Sequence, residues 1–91
     1  MILSPFDFAK VIGEPTRLRI LNHLKKECCV GDIWEKLDLP QNLTSHHLRI
    51  LREANLIIAE KRGSRMVYRL NEVILKRNMR QLSNYLTLKY E

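Results

Sequence analysis

Gln41-Asn42-Leu43-Thr44-Ser45-His46-His47-Leu48-Arg49-Ile50-Leu51-Arg52-Glu53-Ala54, directly behind the break at Leu39-Pro40, is the stretch that decides the fold. A helix drawn through it gathers Leu43, Leu48 and Leu51 toward a core and leaves short polar residues on its first turns. Proline ends whatever precedes it, so this helix starts afresh at Gln41. Just upstream, Cys29-Val30-Gly31-Asp32 opens another helix. Cys29 takes the N-cap place and Asp32 the third helical position, where the positive helix end favours a carboxylate. Ile33, Trp34 and Leu37 give that helix a buried face. Two helices joined by so few residues read as a helix-turn-helix, over residues of about 30–54.

Downstream of Asn55 the pattern becomes extended. Leu56-Ile57-Ile58-Ala59-Glu60 and Met66-Val67-Tyr68-Arg69-Leu70 are β-prone and flank the loop Lys61-Arg62-Gly63-Ser64-Arg65, so a basic hairpin, or wing, is expected over about 56–70. A last helix over about 71–88 carries Val73, Ile74, Met79, Leu82, Tyr85 and Leu86, more apolar surface than one small domain needs. Upstream, Ser4-Pro5 caps a first helix bearing Phe6, Phe8, Ala9 and Ile12 and ending at Gly13. Glu14-Pro15-Thr16 starts a second, with Leu18, Ile20, Leu21 and Leu24, running to Lys26. The expected class is mainly α with a β-hairpin, a winged helix-turn-helix with four helices, two strands and a fifth helix, forming a single domain over 1–91.

Composition narrows the function. At 45% hydrophobic and 29% charged the chain is rich enough in apolar residues to fold. No apolar run approaches the roughly 18 residues that span a bilayer, and Met1-Ile2-Leu3-Ser4-Pro5-Phe6-Asp7 lacks a signal peptide's basic start, so a cytoplasmic protein with no membrane partner is expected. The net charge of +6 is unevenly placed: residues 1–40 carry six Lys/Arg against six Asp/Glu, and residues 41–91 carry ten against four. A basic second half suits a polyanion. A chain this short often gains stability from a partner, which favours dimerisation.

Three separated motifs resemble the arsenic-repressor (ArsR) family of winged-helix regulators. Gly13-Glu14-Pro15-Thr16-Arg17-Leu18-Arg19-Ile20-Leu21 is similar to the family's opening G-D/E-P-T-R-L-R-I-L. Thr44 to Ala54 is similar to its recognition-helix run, commonly followed by Gly-Leu. Arg62 to Leu70 is similar to its wing. The resemblance covers residues of roughly 8–71 and implies a homodimer joined through the first and last helices, binding to operator DNA, and repression relieved by an inducer.

On that reading double-stranded DNA is the partner, in an inverted repeat. Gln41, Asn42, Thr44 and Ser45 sit where a recognition helix reaches base edges, with His46 beside them on the groove side and His47 turned toward the core. Arg49, Lys61, Arg62 and Arg65 are assigned to DNA, chiefly to phosphates, with Arg62 or Arg65 as a minor-groove alternative. Arg52 and Arg17 are expected to pair with acidic neighbours.

Cys28 and Cys29 are candidate redox residues. Metal-sensing relatives begin the third helix with Cys-Val-Cys, whereas this chain has Cys29-Val30-Gly31, and no histidine follows His47 to build the zinc site of other relatives. No metal or cofactor is therefore assigned. A thiol at a helix N-terminus is favoured as thiolate, which leaves either a thiol switch at Cys29 or a plain capping role. No activated nucleophile or phosphate-cradling glycine loop points to an enzyme, and no catalytic residue is assigned. The alternatives are a winged helix used for protein contacts, which would present an apolar or acidic recognition face, and a thiol- or metal-responsive sensor.

Overall fold

In the computed structural model, which describes residues 3–87, Ser4 caps α1 (Pro5–Ile12) by accepting the Asp7 amide at 3.1 Å. Gly13 closes it, its N–H reaching the Ala9 carbonyl at 2.8 Å; a Cβ at position 13 would lie 2.8 Å from that oxygen, so the approach requires glycine. Glu14 then caps α2 (Pro15–His23) with both carboxylate oxygens, accepting from the amides of Thr16 and Arg17. This helix stops before the expected Lys26, at a Leu24 cap.

The helix-turn-helix forms as expected, from α3 (Val30–Lys36) and α4 (Gln41–Glu53). Its turn is built by Asp38 in the left-handed region (φ 55°), which lets the Leu39 N–H return to the Trp34 carbonyl at 2.9 Å. Asn55 (φ 62°) ends α4 in the same way, with the Leu56 N–H on the Leu51 carbonyl, and so fills the place where glycine is common in the resembling family.

Three strands follow the order β1 (Cys28–Cys29), β3 (Arg65–Leu70), β2 (Ile57–Arg62), all antiparallel. The hairpin is tighter than expected. Its strands pair from Ile57↔Leu70 to Arg62↔Arg65, leaving Gly63-Ser64 as the turn, with Gly63 at φ +64°. Lys61, Arg62 and Arg65 are therefore strand residues. β1 was not expected; it pairs Cys28 with Tyr68 and Cys29 with Val67.

Phe8, Ile20, Leu21, Leu24, Ile33, Leu48, Leu51, Ala54, Leu56 and Ile57 form one core joining α1–α4 to the root of the hairpin. Asn71 caps α5 (Glu72–Tyr85), which packs along α1; the expected end at 88 lies outside the described residues. Among the described residues no helix is long and apolar enough to cross a membrane.

Candidate nucleic-acid interface

Thr44, His47, Leu48 and Leu51 are the buried residues of α4, spaced three, one and three apart as one helical face demands. This phase corrects two assignments. Thr44, expected at base edges, is fully buried, and its hydroxyl donates to the Pro40 carbonyl at 3.0 Å. Leu43, expected in the core, is 37% exposed. The buried hydroxyl is tolerated because a carbonyl four residues back satisfies it within the same turn. Gln41, Asn42, Ser45, His46 and Arg49 are exposed as expected. Asn42, Ser45, His46, Arg49 and Arg52 line one open surface. Arg52 is thus another correction: among the described residues it makes no ion pair, and it joins the outer face instead of an acidic partner.

The inner face is anchored by His47. Its Nε2 lies 3.4 Å from Glu14 Oε2, and its Nδ1 lies 3.4 Å from Arg17 Nη1. An arginine can only donate, so Nδ1 accepts and the ring proton sits on Nε2, facing the carboxylate. Arg17 also departs from expectation, since its Nε and Nη2 donate to the carbonyls of Val11 (2.6 Å) and Lys10, tying α2 to the end of α1. Burial pushes the His47 pKa down, and the Thr16 amide is the chief cause holding Glu14 below its ordinary value. Both signs agree. A histidine held neutral in the fold loses stability as pH falls below its ordinary value of about 6.5, and the depressed carboxylate adds a loss as pH falls below about 4.5. The melting temperature should therefore fall steadily from pH 7 to pH 4, and His47→Gln should remove the part of the fall that begins near neutrality. A flat profile between pH 7 and pH 5 in the unmodified chain would contradict this.

On the wing, Lys61, Arg62 and Arg65 are exposed, but two of them are engaged. Arg62 Nη1 pairs with Glu27 at 2.8 Å and Nη2 with Glu60 at 2.8 Å, so it does not stand as the free cation that its position in sequence suggested. Glu27 arrives because β1, which follows it directly, pairs with β3. Hydrogen bonding to Arg62 in turn lowers the Glu27 pKa. Any phosphate contact by Arg62 competes with two carboxylates. Glu27→Gln should therefore tighten DNA binding by up to about fivefold and steepen its salt dependence, the reverse of an ordinary surface deletion. Unchanged affinity in titrations at several salt concentrations would count against it.

Arg65 Nη2 donates to Cys29 Sγ at 2.8 Å, and the thiol in turn donates to Asp32 Oδ2 at 3.4 Å. Hydrogen bonding to that sulfur raises the Arg65 pKa. Cys28 packs against the core, where burial pushes its thiol pKa up. Both cysteines nevertheless border one open cleft with Glu27, Asp32, Arg62 and Arg65. Among the described residues no three His, Cys, Asp or Glu side chains converge as a metal site would require.

The family model described as "Bacterial regulatory protein, arsR family" matches residues 14–59. The chain is 35% identical over 78 residues to the transcriptional repressor SdpR of Bacillus subtilis (strain 168), covering 85% of this chain and 87% of that one. It is 38% identical over 71 residues to the arsenical resistance operon repressor of Escherichia coli (strain K12), covering 76% of this chain and 61% of the relative. In structure it is similar to the transcriptional regulator HlyU from Vibrio vulnificus CMCP6, with a TM-score of 0.68 and 32% identity over 79% of this chain and 78% of that one.

Proposed function

The chain belongs to the arsR family of bacterial regulatory proteins, and from that premise we propose that it is a sequence-specific DNA-binding transcriptional repressor acting in the cytoplasm as a homodimer. The outer face of α4 carries the reading. It presents Asn42, Ser45, His46, Arg49 and Arg52 together on one open surface, with the exposed Leu43 to one side. Asparagine pairs bidentately with adenine, serine suits several bases, and the two arginines reach phosphates or guanine. Gln41 extends the row at the start of the helix. A protein-binding winged helix would present the opposite chemistry on this face.

The dimer reading rests on α1 and α5, where Phe6 is 71% exposed, Met79 53% and Leu86 54%. A two-fold axis there would set two copies of α4 in successive major grooves about 34 Å apart, hence an inverted repeat. Selection of bound sequences from random double-stranded DNA tests this. The expected outcome is two half-sites of opposite sense, their centres about one helical turn apart. Enrichment of a single half-site, or of no sequence, would reject it.

A thiol-responsive reading is favoured by one observation, the hydrogen bond that ties the wing's Arg65 to Cys29. Oxidation by peroxide forms a sulfenic acid on the sulfur and releases water, changing the acceptor that positions Arg65. DNA affinity of the unmodified chain should fall severalfold on peroxide treatment and recover with a thiol reductant, whereas Cys29→Ser should not respond. Arsenite, cadmium and zinc at low micromolar concentration should leave binding unchanged. Metal-driven release that disappears in Cys28→Ser or Cys29→Ser would restore a metal sensor.

A further inference from the structure

Leu43 stands exposed in the first turn of α4, at a position the core does not use. The buried face passes through Thr44 and His47, and Leu43 lies beside it, next to His46 on the helix surface at three residues' distance. Leu43 borders the polar and basic outer face on the side of Asn42 and His46, both exposed. An apolar side chain in that company fits a polyanion whose surface offers an apolar spot. In the major groove the base edges present hydrogen-bonding groups and one hydrocarbon, the C5 methyl of thymine. Thr44, expected at base edges, is sealed in the core and cannot offer its methyl there.

We propose that Leu43 is a specificity residue, packing its side chain on the C5 methyl of a thymine at one position of each half-site. The inference rests on the reading of α4 as the helix that enters the major groove. Leu43 would then select thymine over cytosine without any hydrogen bond, beside the amide of Asn42 and the ring of His46, which read polar edges.

The test takes a duplex selected by the unmodified chain and replaces its thymines one at a time by deoxyuridine, which pairs identically but lacks the methyl. At one position the unmodified chain should lose about fourfold in affinity per half-site, equivalent to the ~0.8 kcal/mol of one buried methyl-sized group. Leu43→Ala should bind the thymine and uracil duplexes equally there, while keeping its sensitivity at other positions. Circular dichroism of the variant confirms that the exposed substitution leaves the fold intact. If no thymine distinguishes the two proteins, or if Leu43→Ala weakens both duplexes while retaining the full methyl effect, the proposal is overturned. Failure of the unmodified chain to select any sequence would remove the reading of α4 itself, and this inference with it. Selective binding that is blind to the methyl removes the inference alone.

Discussion

Replacing Met79 with aspartate should leave each chain folded, separate the proposed dimer, and lower affinity for a two-half-site duplex by on the order of a hundredfold or more. Met79 is 53% exposed on α5 and shares a helix face with the half-buried Leu75 and with Leu86, which is 54% exposed. α1 packs along α5 and adds Phe6, its ring crossed by the Lys10 ammonium at 5.5 Å. Exposed apolar groups brought together on two neighbouring helices mark an interaction surface. Burying a carboxylate in each copy of a two-fold interface leaves two unpaired charges close together, which opposes association. A monomer must then bind two half-sites as separate events, losing the effective concentration that one link between them provides. Sedimentation with circular dichroism separates loss of dimer from loss of fold. A folded Met79→Asp dimer with undiminished DNA binding would place the interface elsewhere.

The double substitution Arg49→Ala with Arg52→Ala should weaken binding on the order of a hundredfold at low salt, and almost equally for selected and random duplexes. Both arginines lie on the outer face of α4, and among the described residues neither is held by a carboxylate, in contrast to Arg62. A dimer would lose four cations. If each neutralises one phosphate, the slope of log affinity against log salt should become shallower by up to about 0.9 for each. The salt slope is the discriminating quantity, because simple misfolding would abolish binding without leaving a measurable line. A changed base preference with an unchanged slope would instead assign these arginines to guanine edges.

Much of this architecture is legible in the sequence because its punctuation is local. Ser4-Pro5, Gly13, Glu14-Pro15 and Leu39-Pro40 each set a helix boundary through backbone chemistry that needs no tertiary partner. The β-prone runs either side of Gly63 likewise announce the hairpin. What escaped depends on contacts distant in sequence, or on polar groups satisfied out of sight. β1 is two residues long and has no periodicity of its own; it exists because β3 offers it an edge. The Arg62–Glu27 pair spans 35 residues and follows from that same strand. In α4 Leu48, Leu51 and His47 fall inside as expected, and only the first turn differs, because leucine outranks threonine on any hydrophobic scale. The structure accommodates Thr44 inside because Pro40 supplies an acceptor at the right distance, and Leu43 is left partly exposed at the border of the outer face. His47 was recognisable as a packing residue, but its partners Glu14 and Arg17 come from another helix.

The most direct test of the central reading, that the outer face of α4 reads base sequence, is the ratio of affinities for a selected duplex and a random duplex of equal length, at one fixed salt concentration. The structure leads us to expect a ratio of about a thousand or more for the unmodified chain, in the range of specific DNA-binding proteins. That ratio should shrink when Asn42 and His46 are replaced together by alanine, while affinity for the random duplex changes little. A ratio near one, or a ratio indifferent to Asn42 and His46, would contradict the account.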